Sequence, residues 1–210
     1  MKVIWSVIKL DFICIKKYFK LYFYLLCVAI AFALFSKNLM LSTITMMMLI
    51  SVRGVSLIYE VQDKYNNDKL YNYLPLTHVQ IVVGRYISTS LVGLFVLVLY
   101  LILQSMILVS LGQTMDAGEV LLSFALGCLL MYSSVVIQIP IFYGLGAISA
   151  KPFCFLPIIF YSMLVYIINE TVWFSNLNKA LFCFLICCVV IVMLVLSIKV
   201  SLKIYRRKEF

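Results

Sequence analysis

Residues Tyr59–Tyr86, YEVQDKYNNDKLYNYLPLTHVQIVVGRY, form a polar stretch that interrupts an otherwise apolar chain. Two hydrophobic runs precede this stretch and four follow it. Of the 210 residues, 65% are hydrophobic and only 12% are charged, whereas soluble domains carry about 25% charged residues. This composition indicates an integral membrane protein, in which the polar stretch is the main segment outside the bilayer.

The hydrophobic runs are long enough to cross a bilayer as helices, because a spanning helix needs about 20 apolar residues. Pro140 lies inside the fourth run, where it predicts a break in the helix. We therefore expect an all-α integral membrane protein in which residues 1–210 form a single transmembrane domain. The six predicted spans are 21–35, 39–58, 87–111, 120–148, 153–168 and 180–198.

Residues 1–20 alternate lysines with large apolar residues and so differ from the uniformly apolar runs. At about 100° per residue, the apolar side chains share one face of a helix and the lysines share another. This pattern predicts an interfacial amphipathic helix that lies on the inner leaflet of the membrane. The apolar face comprises Ile4, Ile8, Phe12 and Ile15, and the basic face comprises Lys2, Lys9, Lys16 and Lys20.

Lysine and arginine are distributed unevenly between the two sides of the predicted bundle. With the N-terminus inside, only Lys37 and Lys179 of the 17 basic residues fall on the outer side. Cytoplasmic loops carry such an excess of positive charge. Both termini, the segment 59–86 and the basic tail 199–210 should therefore be cytoplasmic.

Motifs for enzymatic chemistry are absent from the sequence. There is no GxxxxGK[ST] phosphate-binding loop, no HExxH and no GxSxG, so we expect no catalytic, cofactor-binding or metal-binding residues in this chain. No span contains a carboxylate pair suited to a proton relay. Arg53 and Arg85 lie near the inner ends of spans, where we expect their side chains to snorkel to the headgroups. Gln104 and Gln138 are the deepest polar residues, and they either form interhelical hydrogen bonds or line a translocation path.

The first half of the polar stretch has the pattern of a short amphipathic helix. Leu70, Tyr73 and Leu74 fall on one face at spacings of three and four residues. Pro75 ends this helix, because the residue before a proline is pushed out of the helical region. We expect the short helix to lie along the inner surface of the membrane.

The second half of the stretch predicts the start of a new helix. Thr77 suits the cap of a helix that begins at about His78, and Gln80 stands where a capping box requires it. This helix should continue through Arg85 and Tyr86 into the third span. The whole segment is either a connecting loop that floats at the interface or a lever that passes a partner's push into that span.

Asp68–Tyr86, DKLYNYLPLTHVQIVVGRY, resembles the corresponding loop in the permease subunits of type-2 ABC exporters, in particular the small six-span members. The family pattern has acidic and lysine residues, a Leu-Pro, a short polar step and a hydrophobic run that ends in a basic residue and a tyrosine. His78 stands where the family commonly has Arg or Lys, and Arg85 stands where it has Lys. The layout of the whole chain resembles the family as well.

The resemblance implies that two permease subunits pair and that cytoplasmic ABC ATPase subunits, which hold ATP and Mg, bind beneath them. The short helix of the loop would be the coupling helix, seated in a groove of the ATPase. Cargo would move outward across a bacterial plasma membrane, and the weakly charged spans favour a hydrophobic or amphipathic cargo, with peptides foremost. The implied ATPase-coupling residues are Asn67, Asp68, Leu70, Tyr71, Tyr73, Leu74, Pro75, Thr77 and His78.

A second interpretation remains open at the level of the sequence. A membrane immunity or assembly protein that binds a peptide or partner without transporting it would have the same apolar composition. A secondary transporter fits less well, because the spans lack the intramembrane charges that ion coupling requires.

Overall fold

The computed structural model describes residues 2–16, 19–36, 39–65, 77–112, 116–156, 161 and 179–207. These residues are helical almost throughout and contain no strand, in agreement with the all-α prediction. The α-helices are α1 (Lys2–Lys16), α2 (Phe19–Ser36), α3 (Leu39–Tyr65), α4 (His78–Ser110), α5 (Ala117–Ala150) and α6 (Lys179–Arg207), and a 3-10 helix covers Lys151–Phe155.

Three helices in the described part of the chain are long and apolar enough to cross a membrane, at His78–Ser110, Ala117–Gly146 and Phe184–Arg207. They belong to α4, α5 and α6. The predicted first and second spans fall within α2 and α3, which are also helical. Most of the predicted fifth span, 153–168, lies outside the described residues, so the count of six spans stays a prediction.

Helix α5 packs along both α3 and α6, and α1 packs against α4. Gly127 of α5 sits where three helices meet. A Cβ atom at this position would lie 2.6 Å from Leu97 Cδ1 of α4 and 3.3 Å from Thr43 Cγ2 of α3. The glycine therefore allows the helices to approach closely, as small residues do in membrane helix packing.

Pro140 does not break α5, and the prediction of a break there was wrong. A proline at this position has no N–H to donate to the carbonyl of Val136, one helical turn earlier. The Ser197 hydroxyl of α6 donates a hydrogen bond to that same carbonyl, at 2.8 Å. The neighbouring helix thus satisfies the acceptor that Pro140 leaves open, and α5 continues through the proline.

The helical path of α5 is instead interrupted at Gly146, whose backbone has φ 77° and ψ 166°. Such dihedrals are essentially restricted to glycine, because a Cβ atom would clash with the neighbouring backbone. The chain changes direction here, and Ala150 and Cys154 then pack into a buried cluster with Tyr59 of α3. The residue that redirects the chain is therefore a glycine six residues beyond the proline.

The predicted start of α4 is confirmed. Thr77 caps the helix, with its hydroxyl accepting a hydrogen bond from the Gln80 backbone N–H. In return the Gln80 side chain accepts one from the Thr77 backbone N–H, at 3.1 Å. This reciprocal capping box places the first turn of α4 immediately after the segment 66–76.

Candidate functional site at the start of helix α4

Only two of the predicted ATPase-coupling residues fall in the described part of the chain. Thr77 caps α4, and His78 is its first residue. The imidazole of His78 is exposed and meets the Tyr205 ring of α6 edge-on, with 5.5 Å between the ring centroids. The remaining predicted coupling residues lie outside the described residues: Asn67, Asp68, Leu70, Tyr71, Tyr73, Leu74 and Pro75.

Arg85, two turns into α4, is buried inside the protein, so the prediction that it snorkels to the headgroups was wrong. Its side chain is 2% exposed, and its Nε lies 3.4 Å from Oδ1 of Asp11 in α1. Ser88 donates a hydrogen bond to the other carboxylate oxygen of Asp11, at 2.7 Å. The opposite charge on α1 draws the guanidinium inward, because a buried charge needs a partner.

Asp11 is buried as deeply as its partner. Burial raises the pKa of its carboxyl group above the ordinary value, while the Arg85 charge and the Ser88 hydrogen bond act in the opposite direction. The pair therefore joins α1 to α4 by an interaction that neither helix can lose without leaving a buried charge alone. Breaking such a buried pair from one side costs about 3–5 kcal/mol.

The guanidinium of Arg85 also lies over an aromatic ring of a third helix. Its Cζ is 5.4 Å from the centroid of Tyr59 in α3, a cation–π distance. Tyr59 in turn stacks on Phe142 of α5 at 4.7 Å and meets Tyr143 edge-on. Tyr143 contacts Tyr205 of α6 at 5.2 Å. The four rings of Tyr59, Phe142, Tyr143 and Tyr205 thus form a continuous series of aromatic contacts.

Tyr86, the next residue of α4, begins a chain of hydroxyl groups. Its OH lies 2.5 Å from Ser197 Oγ and 2.8 Å from Ser201 Oγ, both in α6. Ser197 gives its single proton to the Val136 carbonyl, so Tyr86 must donate to Ser197 and Ser201 must donate to Tyr86. The chain thus runs from α4 through α6 to the carbonyl beneath Pro140 of α5.

The two deep glutamines both make contacts between elements. The Gln104 side-chain amide of α4 donates to the Ser42 hydroxyl of α3, and that of Gln138 in α5 donates to the Cys154 carbonyl in the 3-10 helix, at 3.4 Å. Both side chains are almost completely buried. The interhelical hydrogen bond, the first of the two interpretations from the sequence, accounts for these contacts. A role in lining a path stays a prediction.

Sequence reasoning missed most of the residues that surround the start of α4. Asp11 is the only acidic residue among the first 20, and an acid on an otherwise basic helix was a usable signal for a buried partner. Tyr59, Ser197 and Ser201 gave no such signal, because tyrosine and serine are common at helix surfaces in membranes. Their role depends on partners that are distant in the sequence, for example 111 residues for Tyr86 and Ser197.

The start of α4 is connected to three other helices. Within two and a half turns of its start, α4 is connected to α1 by an ion pair, to α3 by a cation–π contact and to α6 by hydroxyl hydrogen bonds. In the described ranges, no group of three or more His, Cys, Asp or Glu residues could hold a metal ion. The first turns of α4 are therefore joined to three other helices by buried contacts.

Comparison with known proteins agrees with this picture. A family model described as ABC-2 family transporter protein matches residues 6–206, nearly the whole chain. No curated protein and no solved structure matches the chain. Proteins of this family are transport membrane subunits that associate with ABC ATPase partners and are not themselves the ATPase. By the extent of that match, the chain belongs to the ABC-2 family of transporter membrane proteins.

Proposed function

We propose that this chain is the permease subunit of an ATP-driven exporter. Two permease subunits, identical or related, would pair in the cell membrane with both termini in the cytoplasm. Separate ATPase subunits would bind ATP and Mg, and this chain would hold no cofactor of its own. Membership of the ABC-2 family and the excess of basic residues on one side support this assignment.

The observation that carries the proposal is the position of the connected residues in α4. The segment 66–76 ends one residue before the Thr77 cap, and Arg85 and Tyr86 follow within the next three turns. A partner that moves the segment would act on the first turn of α4, which the capping box of Thr77 and Gln80 closes. The ion pair, the cation–π contact and the hydroxyl chain would then pass the motion to α1, α3 and α6.

The residues that would meet the ATPase are Asn67–Thr77, together with His78. Tyr71 and Leu74 are the natural anchors, since aromatic and large apolar side chains dominate the energetics of buried interfaces. His78 is exposed beside Tyr205, so it stands at the junction between that surface and α6. The energy of ATP binding would bias two arrangements of the bundle, and cargo would bias the same two arrangements.

A hydrophobic or amphipathic cargo, with a peptide favoured, suits the composition of the bundle. The described spans carry few charges, and the buried pair Asp11–Arg85 lies at the base of α4 and is already neutralised. A strongly charged polymer would meet few compensating groups along such a path. Gln104 and Gln138 carry buried amide side chains in the described spans, and they would supply hydrogen bonds if a path opened beside them.

The test is co-purification of the tagged chain with its ATPase from mild detergent, combined with ATPase and transport assays in vesicles. We expect Tyr71→Ala together with Leu74→Asp to abolish the association, while the conservative pair Tyr71→Phe and Leu74→Met preserves it. Retention of a stoichiometric ATPase by the disruptive pair would contradict the proposed coupling surface.

The position of Arg85 predicts a different outcome for Arg85→Leu, which should keep the ATPase bound but lower the amount of cargo transported per ATP hydrolysed.

The non-transporting alternative predicts a distinct result. A chain that only binds a peptide or partner would keep its function when the ATPase is replaced by a variant unable to hydrolyse ATP. We expect loss of transport in that background. Protection of cells by the permease chain in the absence of hydrolysis would favour the immunity or assembly role instead.

A further inference from the structure

The outward face of α6 carries two contiguous surfaces, one apolar and one basic, that no other described element covers. At about 100° per residue, the buried residues of the helix fall in one arc of about 100°. Four cations near the C-terminal end fall in an arc of similar width on the opposite side. The buried set is Ile186, Val190, Ser197, Ser201 and Tyr205, and the basic set is Lys199, Lys203, Arg206 and Arg207.

The four cations line a shallow, open groove of about 400 Å³, together with Leu202. All four are exposed, and none has a carboxylate partner among the residues that the structure describes. A cluster of like charges on one helix face repels itself unless anions occupy the space between its members. A negatively charged occupant would therefore be stabilised in this groove.

The apolar half of the same face lies one to three turns toward the membrane interior. Val192 and Leu196 are each 58% exposed, and Val195 is 48% exposed. At about 100° per residue Val192 and Leu196 fall in the same arc as the four cations, and Val195 falls beside that arc. The face thus changes from apolar to basic along one line of the helix, with the change between Leu196 and Lys199.

The spacing of the basic residues along α6 can be compared with the thickness of a lipid headgroup layer. With a rise of about 1.5 Å per residue, Lys203 lies about 6 Å beyond Lys199, and Arg206 lies about 10 Å beyond it. The headgroup layer on each side of the hydrocarbon core is about 5–8 Å thick. With the edge of the hydrocarbon core between Leu196 and Lys199, the two lysines would reach the depth of the lipid phosphates, and Val192 and Leu196 that of the acyl chains.

We propose that the outward face of α6 is a binding site for an anionic phospholipid. The phosphate lies in the groove formed by Lys199, Lys203 and Arg206, and the acyl chain lies along Val192 and Leu196. Arginine suits this role because its planar guanidinium can hold two phosphate oxygens at once. A second copy of the chain is a poor occupant, since a two-fold contact through this face would press four cations against four cations.

The test is native mass spectrometry of the full-length chain with an equimolar mixture of phosphatidylglycerol and phosphatidylcholine that have the same acyl chains. We expect preferential retention of phosphatidylglycerol. Lys199→Gln together with Lys203→Gln should reduce that preference by at least about fivefold, the effect of one basic residue at an anionic surface. Lys199→Arg with Lys203→Arg should retain it, which separates loss of charge from loss of folding.

The matched control removes two exposed lysines from other elements, Lys64→Gln in α3 and Lys151→Gln in the 3-10 helix, and should leave the preference unchanged. An equal loss in this control, or an unchanged preference in the double α6 variant, would overturn the proposal.

Soluble competitors distinguish the source of the phosphate. Inorganic phosphate or glycerol phosphate at the concentration of the lipid should not displace phosphatidylglycerol, because neither contacts Val192 and Leu196. Displacement by either would identify a site for free anions and overturn the lipid assignment. The double variant could instead change its oligomeric state while the number of bound lipids stays the same. That result would identify the face as a contact between subunits and would also overturn the proposal.

Discussion

At the scale of single residues, the decisive interactions join positions that are far apart in the chain. Ser88 and Asp11 are 77 residues apart, and Tyr86 and Ser197 are 111 apart. The sequence predicted that Arg85 snorkels outward to the headgroups, and the structure shows the opposite direction. The side chain turns inward because a carboxylate of α1 is there to meet it. No local pattern in the sequence around Arg85 encodes that partner.

The buried pair predicts non-additive effects on stability. Asp11→Leu and Arg85→Leu should each lower the free energy of unfolding by about 3–5 kcal/mol, because each leaves one buried charge alone. The double variant should lose much less than the sum of the two. Equilibrium unfolding in detergent with a double-mutant cycle measures this coupling. The exposed pair Lys151–Glu60 is the control, and Lys151→Ala should cost less than about 1 kcal/mol.

The hydrogen bond from Ser197 to Val136 predicts that one substitution can partly restore the stability that another removes. Ser197→Ala should cost about 1–3 kcal/mol, since the Val136 carbonyl is then buried without a donor. Pro140→Ala in the same chain should recover part of this loss, because an alanine at position 140 supplies the missing backbone N–H. Thermal unfolding of the two single variants and the double variant checks the order. A double variant less stable than Ser197→Ala alone would show that Ser197 acts in another way.

At the scale of the elements, the start of α4 and the bend in α5 differ in how well sequence predicts them. The Thr77–Gln80 capping box is a pattern of four consecutive residues, and its physics is complete within those residues. Pro140 and Gly146 can each disrupt a helix. The position of the bend depends on whether the surroundings stabilise a continuous helix at each of them. Pro140 is rescued by α6, whereas Gly146 adopts a backbone conformation that only glycine tolerates.

The bend predicts opposite outcomes for two neighbouring glycines of α5. Gly146→Ala should destabilise the protein by about 1–3 kcal/mol, because alanine is strained at these dihedral angles. Gly144→Ala should be neutral or mildly stabilising. Its Cβ would meet only Ile204 Cγ2, at 4.0 Å, and alanine is the better helix former. Thermal unfolding of both variants in the same detergent provides the comparison, and equal losses would contradict the assignment of the bend to Gly146.

At the scale of the whole molecule, the contacts around α4 and the distribution of charge indicate the same side of the bundle. Helix α4 is the element that follows the proposed coupling segment, and it contacts α1, α3, α5 and α6. The basic end of α6 and the base of α4 meet at Tyr205 and His78, so they lie on the same side of the bundle. The positive-inside bias predicts that this side faces the cytoplasm.

The orientation predicts the accessibility of introduced thiols. Lys203→Cys at the end of α6 and Asp116→Cys before α5 are both at exposed positions, and they should lie on opposite sides of the membrane. A membrane-impermeant maleimide applied to intact cells should label Asp116→Cys and leave Lys203→Cys unlabelled until the cells are opened. The unsubstituted chain, whose exposed native thiols include Cys27 and Cys187, sets the background. Labelling of Lys203→Cys in intact cells would reverse the assigned orientation.

The sequence alone determined the all-α membrane class, the start of α4 at His78 and the family to which the chain belongs. These properties depend on terms that are local: the apolar length of a segment, a four-residue cap, and a pattern of adjacent residues. Only the tertiary structure decided that Arg85 turns inward to Asp11, that α5 passes through Pro140, and that the bend falls at Gly146. For Arg85 and Pro140 the outcome depends on a distant residue that supplies the charge or hydrogen bond which the local sequence leaves unsatisfied, and only packing brings that residue into reach. For Gly146, glycine permits the bent backbone without requiring it, so the sequence alone does not place the bend.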